Sequence, residues 1–146
     1  MTEDVVVLKH LGPADGPVLN RIAPDVFDHA IRADSRDAFL SCPRHVLIVA
    51  LDDDLVVGMA TGVEYIHPDK APQFWINEVG VAPDYQRLGI GRRLVRALFA
   101  EAKRRGCSEA WLGTEPDNIP ARACYDGLPG GEKPEPFVLY AWDLKD

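Results

Sequence analysis

The spacing of apolar residues changes several times along the chain, and each change marks an element. Val5 to Leu11 alternates weakly and predicts a first strand. After Gly12-Pro13, Val18 to Phe27 reads as a helix, and Ser35 to Leu40 as a second, short one with Asp34 or Ser35 as cap and Pro43 beyond its end. His45 to Leu51 and Leu55 to Tyr65 are β-branched runs on either side of Asp52-Asp53-Asp54, the pattern of a hairpin. Phe74 to Val81 is the next strand. From Gly91 to Arg105 the period lengthens: Leu94, Val95, Leu98, Phe99 and Ala102 recur at helical spacing and form one face for a sheet, with Gly106 as terminator. Glu109 to Thr114 then reads as a strand, Ile119 to Leu128 as a helix with Asn118 at its start, and Phe137 to Leu144 as a final strand. This alternation predicts an α/β (α+β) class, a mixed sheet with helices on both faces, in one domain over 1–146.

Between the strand ending at Val81 and the helix from Gly91 lies the most informative segment. Gly89 and Gly91 remove the Cβ atoms that would obstruct a ligand, and the first turn of the following helix leaves N–H groups without intrahelical partners. With the positive end of the helix dipole, these make an anion site suited to a diphosphate. Two familiar phosphate loops do not match. No Lys-Ser or Lys-Thr pair follows the second glycine, as a P-loop requires, and Leu94 stands where a dinucleotide fingerprint has its third glycine.

The pattern that remains, Gln86-x-x-Gly89-x-Gly91 after Glu78-Val79-Gly80-Val81 and Pro83, resembles the acyl-CoA signature of the GNAT superfamily of N-acyltransferases. The order and spacing of elements resemble the GNAT fold along nearly the whole chain, which implies a twisted mixed sheet of six to seven strands with about four helices on both faces. The resemblance implies acetyl-CoA as cofactor, held by Val79, Gly80, Val81, Gln86, Arg87, Leu88, Gly89, Ile90, Gly91 and Arg92, with Asn118 against the pantetheine arm. It also places Tyr125, two turns after Asn118, beside the thioester sulfur, and a strand bulge near Val79 to Val81, with Gly80 as its expected place. Read from residue type alone, Asn118 serves equally as a helix N-cap and Tyr125 as a core residue.

Acetyl transfer to an amine needs a base for the ammonium proton, a donor for the developing oxyanion and a proton for the leaving thiolate. Glu78, flanked by Ile76, Val79 and Val81 and expected to be partly buried, is the candidate base, acting directly or through water. A main-chain N–H is the candidate oxyanion donor, and Tyr125 the candidate acid. The sequence Trp75 to Pro83 together with Thr114 to Asn118 further resembles the aminoglycoside 3-N-acetyltransferases. That family usually carries aspartate where this chain has Glu78, and usually follows the tyrosine with a leucine-glycine pair rather than Asp126-Gly127-Leu128. The resemblance implies a polycationic sugar facing Glu64, Glu115, Asp117 and Asp28; polyamines, small amines and protein amines suit those residues nearly as well. An acyl-CoA-binding domain without turnover is the reading from another class, and Glu78 with Tyr125 speaks against it.

Composition narrows the partners. A formal net charge of −7 argues against nucleic acid, and no run approaches the ~20 apolar residues of a bilayer span, so the expectation is a cytoplasmic protein with a small cationic amine substrate. Cys42, Cys107 and Cys124 are an odd number without close pairing, which suits reduced thiols, and neither they nor the four histidines show metal-ligand spacing. The apolar last strand either finishes the sheet or pairs with a second subunit as a homodimer.

Overall fold

The structure, a computed structural model, describes residues 5–145. The chain divides into two compact units, Met1–Gly113 and Thr114–Asp146. In the first, five strands lie in sequence order: β1 (Val6–His10), β2 (His45–Asp52), β3 (Leu55–Tyr65), β4 (Gln73–Val81) and β5 (Ala110–Trp111). The first four are antiparallel; β5 runs parallel to β4. Helix α1 (Ala33–Ser41) follows an irregular segment, and α2 (Ile90–Arg104) connects β4 to β5.

Helix α2 covers one face of the sheet. Ile90, Leu94, Val95, Leu98 and Ala102 are buried at the spacing of one helical stripe. Gly58 lets the helix approach, because a Cβ there would lie 3.3 Å from both Ile90 Cγ2 and Leu94 Cδ1. Four residues along β3, Gly62 leaves room for the ring of Phe74, which is fully buried. The helix closes with a Schellman turn: Gly106, at φ +79°, donates to the Lys103 carbonyl and Cys107 to that of Ala102.

Several expected elements differ. Val18 to Phe27 is not an α-helix. Pro13–Asn20 forms a 3-10 turn, Pro24 interrupts the rest, and Asp25 turns left-handed at φ 64°. Arg21 and Ala23 instead exchange backbone hydrogen bonds with Val56. The strand expected from Glu109 to Thr114 shrinks to two residues. In the second unit, α3 (Ile119–Asp126) forms where expected, but Phe137 to Leu144 is not a strand. Its apolar side chains, from Phe137 at 66% to Leu144 at 90% exposed, bury too little to hold one. The described sheet therefore has five strands rather than six or seven. Among the described residues no helix is long and apolar enough to cross a membrane.

Candidate active site

Glu78 owes its direction to an irregularity in β4. Thr61 pairs with Glu78, but the next residue, Gly62, pairs with Ile76, so Asn77 is an extra residue on β4. A bulge of one residue reverses which face the alternation serves. Phe74 and Ile76 before it point into the core beneath α2, whereas Glu78 and Gly80 after it share the opposite face with Thr61 and Met59. The bulge sits at Asn77, upstream of the expected Val79 to Val81, and Gly80 pairs regularly with Met59. Gly80 has another task. A Cβ there would lie 2.3 Å from the Val26 carbonyl oxygen, so only glycine lets the segment after Asn20 cross β4.

That crossing borders an open cavity of about 270 Å³ on the face opposite α2. Glu78 and Thr61 line it from the sheet, Asp28 and His29 from the crossing segment, and Ser35 and Phe39 from α1. Glu78 is exposed in the protein alone, not partly buried as expected. Its neighbour Thr61 is only 7% exposed, and its Oγ1 has no hydrogen-bond partner among the described residues.

Beyond Val81 the chain makes a short 3-10 turn, Pro83–Tyr85, and enters α2 through Gly89. The Tyr85 hydroxyl donates to Asp52 Oδ2 at 2.5 Å, tying the turn to the β2–β3 hairpin; this bond raises the Tyr85 pKa. Gln86 Nε2 donates to the Val81 carbonyl at 3.0 Å, which brings the turn back against the end of β4. Arg87 at φ 65° and Gly89 at φ 81° are both left-handed, and Gly89 offers no side-chain cap. The first helical bond runs from the Arg93 N–H to the Gly89 carbonyl. Among the described residues, the N–H groups of Leu88, Gly89, Ile90 and Gly91 find no backbone carbonyl partner. These donors, at an exposed glycine on the positive end of a 15-residue helix, fit the diphosphate of a coenzyme. On its outer side β4 meets β5 only at Phe74 and Trp75. From Ile76 to Val81 that edge has no strand beside it among the described residues, which suits an extended, amide-bearing arm.

Not every basic residue near the turn faces this donor set. Arg93 Nη2 donates to the Val6 carbonyl, and Arg104 and Arg105 both bind Glu101, whose carboxyl their hydrogen bonds, that of Arg104 foremost, hold down to about 2. Arg105 also pairs with Glu64 at 3.1 Å. Glu64, expected at the substrate, is thus committed to a structural ion pair and does not line the cavity. Burial, followed by the Glu64 charge, pushes the Cys107 thiol up, which favours an inert thiol.

In the second unit the Asn118 side chain accepts from the Ala121 N–H at 3.2 Å, an N-cap for α3. Burial, and to a lesser degree Cys124, pushes the Tyr125 phenol up, so that it keeps its proton at neutral pH. Glu115 and Asp117 are exposed in the loop before α3. Thr61 and the apolar residues facing it drew no attention in the sequence, because within β-branched and helical runs they read as core.

A bulged strand passing through a glycine turn into a helix with open amides defines a class. The chain belongs to the acetyltransferase (GNAT) family, whose sequence pattern matches residues 17–128, and GNAT acetyltransferases use acetyl-CoA. Among individual proteins, it is similar to the ribosomal protein bS18-alanine N-acetyltransferase of Escherichia coli (strain K12), 42% identical over 50 residues, 34% of each chain. The matched region thus spans about a third of the length of these curated relatives. The fold is that of an aminoglycoside acetyltransferase from an uncultured soil metagenomic sample, solved with trehalose (TM-score 0.85, 21% identity, 97% of this chain and 98% of that one). It is likewise that of the aminoglycoside N-acetyltransferase AAC(6')-Iy in complex with CoA (TM-score 0.73, 19% identity, 94% of each chain).

Proposed function

We propose that this protein is a single-domain, cytoplasmic N-acetyltransferase that transfers acetyl from acetyl-CoA to a small primary amine by direct attack. The observation that carries this reading is the bulge at Asn77, which turns Glu78 toward an open cleft while the same strand leads into the open amides of Leu88 to Gly91. Bound acetyl-CoA supplies an acyl group activated as a thioester. Gly89, Ile90 and Gly91 hold the diphosphate through their N–H groups, with Arg87 and Arg92 near it. Glu78 takes the proton of the entering ammonium, directly or through water, and leaves a lone pair for the new N–C bond. A main-chain N–H among Val79, Gly80 and Val81 donates to the acyl oxygen, and Tyr125, protonated at neutral pH, gives its proton to sulfur as the C–S bond breaks. Asn118 has a role at the pantetheine arm beside its role as cap.

A second reading, an aminoglycoside acceptor acetylated at the 3-amino group, is favoured by the fold shared with aminoglycoside acetyltransferases and by the carboxylates Asp28, Glu115 and Asp117. Free-thiol release from acetyl-CoA over kanamycin, spermidine, 2-phenylethylamine and an alanine-initiated peptide tests both readings, with mass spectrometry locating the acetyl group. Tyr125→Phe is expected to lower kcat by about 10²- to 10³-fold with the amine KM unchanged, within the range of general acid catalysis. No thiol release with any amine removes the transferase reading; acetylation of kanamycin elsewhere than the 3-amino group removes that regiochemistry. An unchanged rate in Tyr125→Phe removes the tyrosine as acid.

A further inference from the structure

The lining of the cavity is unlike a site for a polycation. Leu19, Phe27, Ile31, Phe39, Leu40 and Leu47 form an apolar wall. Two acidic residues, Asp28 and Glu78, line it, but so do two arginines, Arg32 and Arg36. Their own partners, Asp34 and Asp37, lie on α1 away from the cavity lining. A ligand bearing several ammonium groups would therefore meet as many positive groups as negative ones and would leave most of the apolar wall unused. The volume, about 270 Å³, falls just below the ~300 Å³ at which drug-sized pockets begin, so the occupant is compact.

A second, independent observation points to a ligand. Thr61 is more than nine-tenths buried, lines this cavity and leaves Oγ1 without a partner among the described residues, whereas buried hydroxyls in folded proteins are nearly always hydrogen-bonded. It is paired across the sheet with Glu78, on the same face. Thr61 and Glu78 are thus neighbours among the residues that line the cavity.

We infer that the acceptor is a compact monoamine with an aromatic or branched aliphatic body, and that Thr61 is a specificity-determining contact that accepts a hydrogen bond from its amino group beside Glu78. The apolar wall takes the body of the acceptor. Thr61 binds and orients; it does not exchange a proton. This inference rests on the transferase reading above and narrows its substrate class.

The test compares wild type, Thr61→Val and Thr61→Ser with 2-phenylethylamine, kanamycin and the alanine-initiated peptide as acceptors. Wild type is expected to show a kcat/KM for 2-phenylethylamine at least tenfold above that for kanamycin or the peptide. Thr61→Val should raise the KM for 2-phenylethylamine by about tenfold, as expected for one hydrogen bond to a charged group, with kcat and the acetyl-CoA KM unchanged. Thr61→Ser should restore the wild-type KM. Because valine removes an unpartnered buried hydroxyl, the melting temperature of Thr61→Val without ligand should equal or exceed that of wild type; a structural role would lower it. Melting with 2-phenylethylamine alone reads binding without turnover, and should show a shift in wild type that Thr61→Val loses. Preference for kanamycin or the peptide, or a KM unmoved by Thr61→Val, overturns the inference and leaves the transferase reading intact. Absence of turnover with every amine, together with no stabilisation by acetyl-CoA, overturns both.

Discussion

Replacing Glu78 with glutamine is expected to lower kcat/KM for the amine acceptor by about 10²- to 10⁴-fold, the usual worth of a positioned general base. An alkyl ammonium is almost wholly protonated at neutral pH, so an enzyme attacking with the free amine must remove a proton for every turnover. Glutamine keeps the size of the side chain and its hydrogen-bonding reach but accepts no proton. The loss should fall mainly on kcat, because the apolar wall and Thr61, which hold the acceptor, are untouched. CoA affinity should stay within twofold of wild type, since the amides of Leu88 to Gly91 are separate from this side chain. A kcat reduced by less than threefold would show that another group, or bulk water, takes the proton.

The largest effect on stability is expected at Phe74. Its side chain is fully buried, lies over Gly62 and belongs to the residue of β4 that pairs with Ala110 of β5. Phe74→Ala should cost about 3–5 kcal/mol, the range for emptying a buried aromatic site, read as a lower urea midpoint with an unchanged m-value. For a chain of this size that corresponds to a melting temperature about 10–16 °C lower. The cost is at the upper end because Gly62 has no side chain with which to fill the space. It also bears on the site: Phe74 and Ile76 anchor the half of β4 before the bulge, and the bulge sets the direction of Glu78 only while that half stays seated. A loss below 1 kcal/mol would mean that the core under α2 is looser than the contacts at Gly58 and Gly62 imply.

Much of this was legible in the sequence, for local reasons. The β2–β3 hairpin lies where the β-branched runs and Asp52-Asp53-Asp54 put it, with Asp53 left-handed at φ 52°, and α2 begins one residue before Gly91 and ends one residue before Arg105. The glycine turn was visible because its chemistry depends on residues that are adjacent in the chain. The bulge at Asn77 was not, because no residue type there demands it; only the pairing of Thr61 with Glu78 and of Gly62 with Ile76 reveals it. Gly80 was noticed for the wrong reason, since its need arises from Val26, more than fifty residues earlier. The acidic residues drew attention to Glu64, whose carboxylate is taken up by Arg105 across forty-one positions of sequence. The apolar acceptor cavity was hidden for the same reason: Leu19, Phe39 and Leu47 become neighbours only in three dimensions.

All of the proposed chemistry requires that the turn from Gln86 to Gly91 bind a diphosphate through main-chain N–H groups, and amide NMR during titration with CoA examines those groups one by one. The largest shifts are expected at Leu88, Gly89, Ile90 and Gly91, saturating together at one dissociation constant. Saturable binding of CoA that leaves these four amides unmoved, or no binding at all, would contradict the account.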